Sequence, residues 1–371
     1  MSRAHRIVFL DALRGVAIIL MVVNHTSRWW IALPMGWPRY WLIYGSVLVP
    51  AALFLFLVGF CLPMSFRERS LPPLGKTLPR YLRRGLTIVL WGYVLNLVVF
   101  HDEPVWYGGV LQTIGLCVIL TAPAMWLVQR TRWQVGVLAL AVISYVAFVQ
   151  SVPMLSAWTK AHVVAGQILL FDFPFWPWAS ASLIGLVAGT AWLKARARGE
   201  AHERRYFAAI AVLGVVCLAW YAAWEWWLPT TPRFGFARDF TVNRHWTPRG
   251  VTLSLVGGAI ALLLSLLYWL GEARGFGMRW LVILGQTALV LYFVHQIVVY
   301  TVVKQALGIQ FTTWTGYWLA NVALMLGLLA FARLWLVVSG RIRRWRVSRT
   351  AVAEPTTPTA TETPSTRGQA S

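Results

Sequence analysis

Residues 7–30 read IVFLDALRGVAIILMVVNHTSRWW. Apolar side chains fill most of this run, and a helix needs roughly 20 such residues to cross a bilayer. The run is too long for the apolar centre of a signal peptide, and no small-residue cleavage site precedes its polar residues Asn24 to Ser27. We therefore predict a retained transmembrane helix, around which the rest of the fold is arranged.

Apolar segments of similar length recur along most of the chain. Hydrophobic residues make up 58% of the sequence and charged residues only 12%, against about 25% charged residues in a soluble domain. A water-soluble protein is excluded, and the pattern predicts an all-α polytopic membrane protein with a bundle of about ten transmembrane helices. The predicted helices cover residues 7–30, 41–66, 81–100, 108–128, 133–150, 176–193, 206–228, 250–270, 278–303 and 314–339.

Basic residues are unevenly distributed between the two sides of this predicted bundle. The formal net charge is +21, from 33 Lys and Arg against 12 Asp and Glu. With the N-terminus inside, 23 of the basic residues flank inner helix ends and 8 flank outer ends. This bias predicts that both termini lie in the cytoplasm. The charge is then a matter of topology and of contact with membrane lipids, and it indicates no nucleic-acid partner.

The end of the chain has a different composition. From about Ala351 it is rich in Pro, Thr, Ser, Ala and Glu, which cannot bury a core. We divide the chain into a transmembrane domain at residues 1–345 and a disordered cytoplasmic tail at residues 346–371.

Two predicted outer loops, Ser151 to Phe175 and Pro229 to Arg249, are longer than a simple connection requires. Two interpretations are open for the second: a cap over an outward-facing site, or a solvated loop. The candidate acceptor-side residues in the two loops are Asp172, Arg244, His245 and Trp246.

Besides Arg28 at its outer end, the first predicted helix contains three ionisable side chains. A charge at the bilayer centre costs about 2.5–3.5 kcal/mol. Arg14 and His25 share a helix face and lie roughly 16 Å apart along the axis. Asp11 is within reach of an ion pair with Arg14. We predict a polar track that runs from Arg14 near the cytoplasm to His25 near the outer side.

A plainer interpretation stays open for these groups. Arg14 would then extend to the cytoplasmic interface beside Asp11, while Asn24 and His25 would end the helix among lipid headgroups. The most deeply placed histidine is His295, and the sequence favours an interhelical hydrogen bond that fixes packing as its role.

Three arginines open the third predicted helix on one face: Arg80, Arg83 and Arg84. Their forked guanidinium groups suit phosphate oxygens. The alternative is that they are ordinary topology determinants in contact with anionic lipid.

Residues 10–17, Leu-Asp-Ala-Leu-Arg-Gly-Val-Ala, followed by His25, resemble the acyltransferase-3 signature of an arginine and a histidine separated by ten residues. Arg80 and Arg83 also match the Arg-x-x-Arg pattern of those proteins. Four other segments resemble the bacterial branch related to heparan-α-glucosaminide N-acetyltransferase, namely residues 48–60, 109–115, 173–178 and 284–295. On this resemblance, which spans residues 6–340, the chain is identified as a member of the transmembrane acyltransferase superfamily.

The resemblance implies that acyl-CoA, usually acetyl-CoA, is bound from the cytoplasm as co-substrate. Its acyl group would pass to a hydroxyl or amine of an extracytoplasmic glycan or glycoconjugate, in a bacterial cytoplasmic membrane. His25 would act as general base, and either Asn24 or a group of an outer loop would donate a hydrogen bond to the oxyanion. The implied catalytic set is His25, Arg14, Asn24 and Asp11, and the implied CoA-binding set is Arg80, Arg83 and Arg84.

One departure from the family pattern bears on the base. The lysosomal heparan enzyme is thought to use a histidine in its first luminal loop, whereas residues 31–40 here contain none. His25 is therefore the better candidate, either as a base or as a nucleophile that carries the acetyl group covalently.

Other classes of protein are weighed against this interpretation. The sequence has no nucleophile elbow, no cluster of metal ligands and no phosphate-binding glycine loop, so it does not favour a hydrolase, a metalloenzyme or a pump, and no metal is expected. The main alternative is a transporter or flippase of a glycan or lipid-linked precursor, since intramembrane charge serves transport as well.

Overall fold

The computed structural model describes residues 7–34, 36–40, 42–43, 48–66, 73–170, 173–226 and 250–353. Within these ranges, nine helices are long and apolar enough to span a bilayer. One shorter apolar helix, which begins at Leu48, occupies the second predicted span. The predicted all-α polytopic membrane fold is confirmed.

Thirteen helices are described, in chain order. They are α1 (Val8–Trp30), α2 (Trp37–Tyr40), α3 (Leu48–Cys61), α4 (Leu74–Val99), α5 (Val110–Leu127), α6 (Thr131–Ala161), α7 (Val163–Leu170), α8 (Phe175–Ala197), α9 (Glu200–Trp226), α10 (Gly250–Tyr268), α11 (Arg279–Gln286), α12 (Ala288–Gln296) and α13 (Trp314–Ala353). A 3₁₀ turn covers Pro63–Phe66, and π-helical segments cover Trp269–Ala273 and Ile297–Ala306.

Helix α1 lies at the centre of the bundle. Its first amide, that of Val8, donates to the carboxylate of Glu272, and most of its residues are buried. Ile18 is fully buried, whereas Leu319 on the peripheral helix α13 is 66% exposed. An apolar centre with an equally apolar rim is expected of a bundle whose outer surface faces lipid tails.

Two glycines fix the register between α1 and α11. A Cβ on Gly15 would overlap the carbonyl oxygen of Leu281, and one on Gly285 would overlap the carbonyl oxygen of Asp11. Small residues let helix backbones approach closely in membranes. Contacts on either side of this crossing follow the same order, from Val8 with Glu272 to His25 with His295 and Trp30 with Val299. The chain from Glu272 to Val299 therefore runs parallel to α1.

The ninth predicted helix consists of three pieces. Thr287 separates α11 from α12 with backbone angles outside the helical region, and its hydroxyl donates to the carbonyl of Ile283 at 2.9 Å. Such a bond from a threonine to the preceding turn bends helices. After Gln296 the chain continues as a π-helix, a form that is frequent at functional sites.

The predicted loop Ser151 to Phe175 is wrong over most of its length. Helix α6 continues to Ala161, and α7 covers Val163–Leu170. After Pro153, the stretch from Met154 to Ala165 has neither glycine nor proline and is rich in apolar residues, so helical hydrogen bonds satisfy its backbone. The other predicted loop lies outside the described residues, as do Asp172, Arg244, His245 and Trp246.

The chain end differs in one respect from its predicted division. Helix α13 reaches Ala353, past residue 346 where the tail is predicted to begin, and residues 354–371 lie outside the described part of the chain.

The inside location of the N-terminus stays a prediction, and cysteine labelling tests it. Single cysteines at His101 and Lys160, in a variant without the native cysteines, are expected to react with an impermeant reagent in intact cells. A cysteine at His202, exposed in the first turn of α9, is the matched control and should react only after lysis. The reverse pattern would contradict the predicted orientation.

Candidate active site

A cavity of about 330 Å³ opens at the end of α1 that carries Asn24 and His25. Helices α4, α5 and α12, with the π-helical segment after α12, form its walls. The lining includes both polar and aromatic side chains: His25, Trp29, Asn96, Gln112, Tyr292 and Tyr300. Concave sites with a few convergent polar groups are the usual place for binding and catalysis.

His25 contacts a second histidine, His295, at the end of α12. The Nδ1 atom of His25 lies 2.9 Å from Nε2 of His295. The ring centroids are 5.2 Å apart and the ring planes differ by 7°. This geometry places the two imidazoles edge to edge in nearly one plane, joined by a hydrogen bond. His295 is fully buried, whereas His25 is partly exposed and lines the cavity.

Two further contacts hold this histidine pair. The Nδ1 atom of His295 lies 2.8 Å from the carbonyl oxygen of Leu291, one turn earlier on the same helix. The amide of Gln296 lies 3.0 Å from Nδ1 of His25. The pair therefore joins α1 to the point where α12 becomes a π-helix.

Asn24 also lies in the cavity wall, but its side-chain amide is hydrogen-bonded to the backbone of residues 42–43. Its Nδ2 atom donates to the carbonyl of Leu42 at 3.1 Å and to that of Ile43 at 2.9 Å. Both amide hydrogens are thereby engaged, so donation to an oxyanion would require one of these bonds to break.

Aromatic rings form one side of the cavity mouth. Trp29 lies 5.2 Å from the ring of His25 and 4.9 Å from that of Tyr300. The ammonium of Lys304 lies 4.3 Å from the centroid of Tyr300. Charged side chains at the cavity are Arg28, Glu103 and Lys304. A flat ligand ring with hydroxyl groups could stack here and still donate hydrogen bonds.

Arg14 lies toward the other end of α1. Its guanidinium donates to Asp11 at 2.7 Å, which confirms the predicted ion pair, and to the Sγ atom of Cys61 at 3.0 Å. Asp11 is 5% exposed. The side chains of Arg80, Arg83 and Arg84 are all exposed.

Apolar side chains separate the two ends of α1. Ile18 and Met21 occupy the face between Arg14 and His25, and both are buried. They pack against Leu284 and Leu291 of the neighbouring helices. The continuous polar track predicted from the helix face is therefore wrong for this conformation.

The sequence singled out His25 but missed its partner. The interhelical hydrogen bond of His295 is present, yet it goes to the proposed base and lies next to the cavity. A signal for this pairing exists in the sequence: Gly15 precedes His25 by ten residues, and Gly285 precedes His295 by ten. Because the two segments run parallel and cross at these glycines, the equal spacing is consistent with the observed contact between the histidines.

No group of three or more His, Cys, Asp or Glu side chains that could hold a metal ion occurs in the part of the chain that the structure describes. Asp172, Arg244, His245 and Trp246 stay predictions for the acceptor side.

Two comparisons with known proteins add to this picture. A family model described as heparan-alpha-glucosaminide N-acetyltransferase, catalytic, matches residues 6–225. The match includes Arg14, His25 and the three arginines of α4, but it ends before the helix that carries His295. A search among curated proteins gave no match.

Proposed function

Because the chain belongs to the heparan-α-glucosaminide N-acetyltransferase catalytic family, we propose that it transfers an acetyl group from cytoplasmic acetyl-CoA to an extracytoplasmic glycan. The family indicates a membrane acetyltransferase-like function. The observation that supports the finer proposal is His25, held by a second histidine at the wall of a cavity that can admit an acceptor. The acceptor group is a hydroxyl or an amine, and the membrane is a bacterial cytoplasmic membrane.

The proposed reaction is a direct acyl transfer. The acceptor oxygen or nitrogen attacks the thioester carbonyl as His25 takes its proton, and the carbonyl oxygen becomes an oxyanion. The C–S bond then breaks, the CoA thiolate receives the proton from His25, and the acylated acceptor leaves. A general base of this kind contributes about 10²–10⁴-fold to the rate.

The donor has to reach His25 from the opposite side of the bilayer. Arg14 and His25 are separated by about 16 Å of helix, a distance suited to an extended pantetheine arm. Ile18 and Met21 now fill that interval, so the arm can enter only if these side chains move aside. The nucleotide phosphates would stay at the inner surface with Arg80, Arg83 and Arg84.

Transfer and transport can be distinguished in one preparation. Purified protein in proteoliposomes receives labelled acetyl-CoA on the inner side and a panel of glycans on the outer side. Mass spectrometry of the glycans is expected to show acetylation that depends on the protein. Movement of intact glycan with no acetylated product would contradict the proposal and favour a transporter.

Loss of the α4 arginines is expected to weaken CoA binding. The double variant Arg80→Gln, Arg83→Gln should raise the Kd for CoA by about tenfold or more, because a hydrogen bond to a charged group is worth about 1.5–3 kcal/mol. Calorimetry on the protein in lipid measures the affinity. The matched control is Arg130→Gln, Arg132→Gln, which removes two exposed arginines from the neighbouring α5–α6 turn. Equal affinity in both variants would leave the α4 arginines a lipid-contact role.

A further inference from the structure

We propose that His295 is a positioning residue that holds His25 in the tautomer with its proton on Nδ1, so that Nε2 is the basic nitrogen. The catalytic role of this tautomer rests on the proposed function, whereas the positions of the protons on the two rings follow from hydrogen bonding alone. The family match ends at residue 225 and does not reach His295.

The hydrogen bond to Leu291 fixes the tautomer of His295. A backbone carbonyl oxygen only accepts, and it lies 2.8 Å from Nδ1 of His295. Nδ1 of His295 therefore carries a proton. In a neutral imidazole the other nitrogen, Nε2, is then an acceptor.

The hydrogen bond between the two rings then determines the tautomer of His25. Nε2 of His295 can accept only if Nδ1 of His25 donates, across 2.9 Å. The opposite direction would require His295 to carry protons on both nitrogens, which makes it a cation. His295 is 0% exposed, and an isolated buried charge is costly. The neutral pair therefore has its proton on Nδ1 of His25, and the lone pair on Nε2.

One of the two orientations of the Gln296 side-chain amide fits this hydrogen-bond pattern. With nitrogen toward His25, two N–H groups would face each other across 3.0 Å, and Oε1 would stay buried without a hydrogen-bond partner among the described residues. With oxygen toward His25, the amide accepts from the same Nδ1–H. The oxygen and nitrogen of an amide are assigned by such networks.

The hydrogen bonds donated by Nδ1 of His25 become stronger as the reaction proceeds. When Nε2 of His25 takes the acceptor proton, the ring becomes a cation and its Nδ1–H donates more strongly to His295 and Gln296. Hydrogen bonds with a charged partner are roughly twice as strong as neutral ones. An interaction that gains strength on the way to the transition state raises turnover without tightening substrate binding. A carboxylate orients the base in this way in serine proteases, and a neutral imidazole takes that place here.

Two variants of His295 distinguish a role as hydrogen-bond acceptor from a role in packing alone. His295→Gln keeps an atom that can accept from His25, whereas His295→Leu keeps a similar volume without an acceptor. Turnover is expected to fall by about tenfold or less in His295→Gln and by about 100-fold in His295→Leu. The affinity for CoA should stay within about twofold in both.

Nitrogen NMR of the ¹⁵N-histidine-labelled protein in lipid reads the tautomer directly, and the signal that is lost in His25→Gln identifies His25. The wild type and His295→Gln are expected to show the proton on Nδ1, and His295→Leu a shift toward Nε2. A wild-type proton on Nε2, or a His295→Leu protein with wild-type tautomer and turnover, would overturn the inference. If no glycan is acetylated while the Nδ1 tautomer is observed, the proposed function fails and the histidine arrangement stands.

Discussion

Replacement of His25 by alanine is expected to lower acetyl transfer by about 10²–10⁴-fold, the usual contribution of a general base. The imidazole lines the cavity and is joined to His295 across 2.9 Å, and no other histidine among the described residues lines that cavity. A base acts on the transition state, and the Kd for acetyl-CoA should therefore change little. Turnover is measured on matched amounts of folded protein in lipid, and calorimetry gives the affinity.

A second substitution and a control make this result specific. His25→Gln keeps a polar side chain of similar size and should be equally inactive. His162→Ala removes an exposed histidine between α6 and α7 and should be fully active. Near-normal turnover in His25→Ala would assign the base to another residue.

Substitution of Gly285 by alanine is expected to destabilise the protein and to reduce turnover together. The added Cβ would overlap the carbonyl oxygen of Asp11, and α1 and α11 would have to move apart or slide. Overpacking of this kind costs about 1–3 kcal/mol. A shift of either helix also separates His25 from His295, because the same contact sets their register.

Gly327→Ala is the matched control, on helix α13. A Cβ at Gly327 has no neighbour within 4 Å, so this change removes a helix-weakening glycine without a clash. It is expected to leave stability unchanged or to raise it by up to about 1 kcal/mol. Thermal unfolding in lipid distinguishes the two variants. Equal unfolding temperatures would show that the close approach at Gly285 does not hold the helices in register.

The positions of the helices can be predicted from the sequence better than the contacts between them. Apolar runs near bilayer length predict the spans, and the three-residue spacing of Asp11 and Arg14 predicts their ion pair. Both are local properties of one segment. The contact of His25 with His295 depends on how two distant helices pack, which no single segment encodes. The extension of α6 to Ala161 is not predicted, because Gln150, Ser151 and Pro153 interrupt the apolar run from which the span is read.

At the site on α1, too, the properties of a single segment are predictable and the contacts with distant segments are not. The residue types of Arg14 and His25 mark them as unusual in a membrane, and their common face follows from helix geometry. The bonds of Asn24 to the carbonyls of Leu42 and Ile43 are not predictable, because they depend on the path of the chain after α1.

Buried Ile18 and Met21 have a consequence for the cell that contains this protein. A water-filled passage from Arg14 to His25 would let protons run down the membrane potential, which is worth about 2.3 kcal/mol per charge for each 100 mV. The buried side chains of Ile18 and Met21 leave no such passage along this face of α1. In the proposed transfer the thin arm of the donor would itself occupy any opening between Arg14 and His25, so the reaction would not require a path for protons across the membrane.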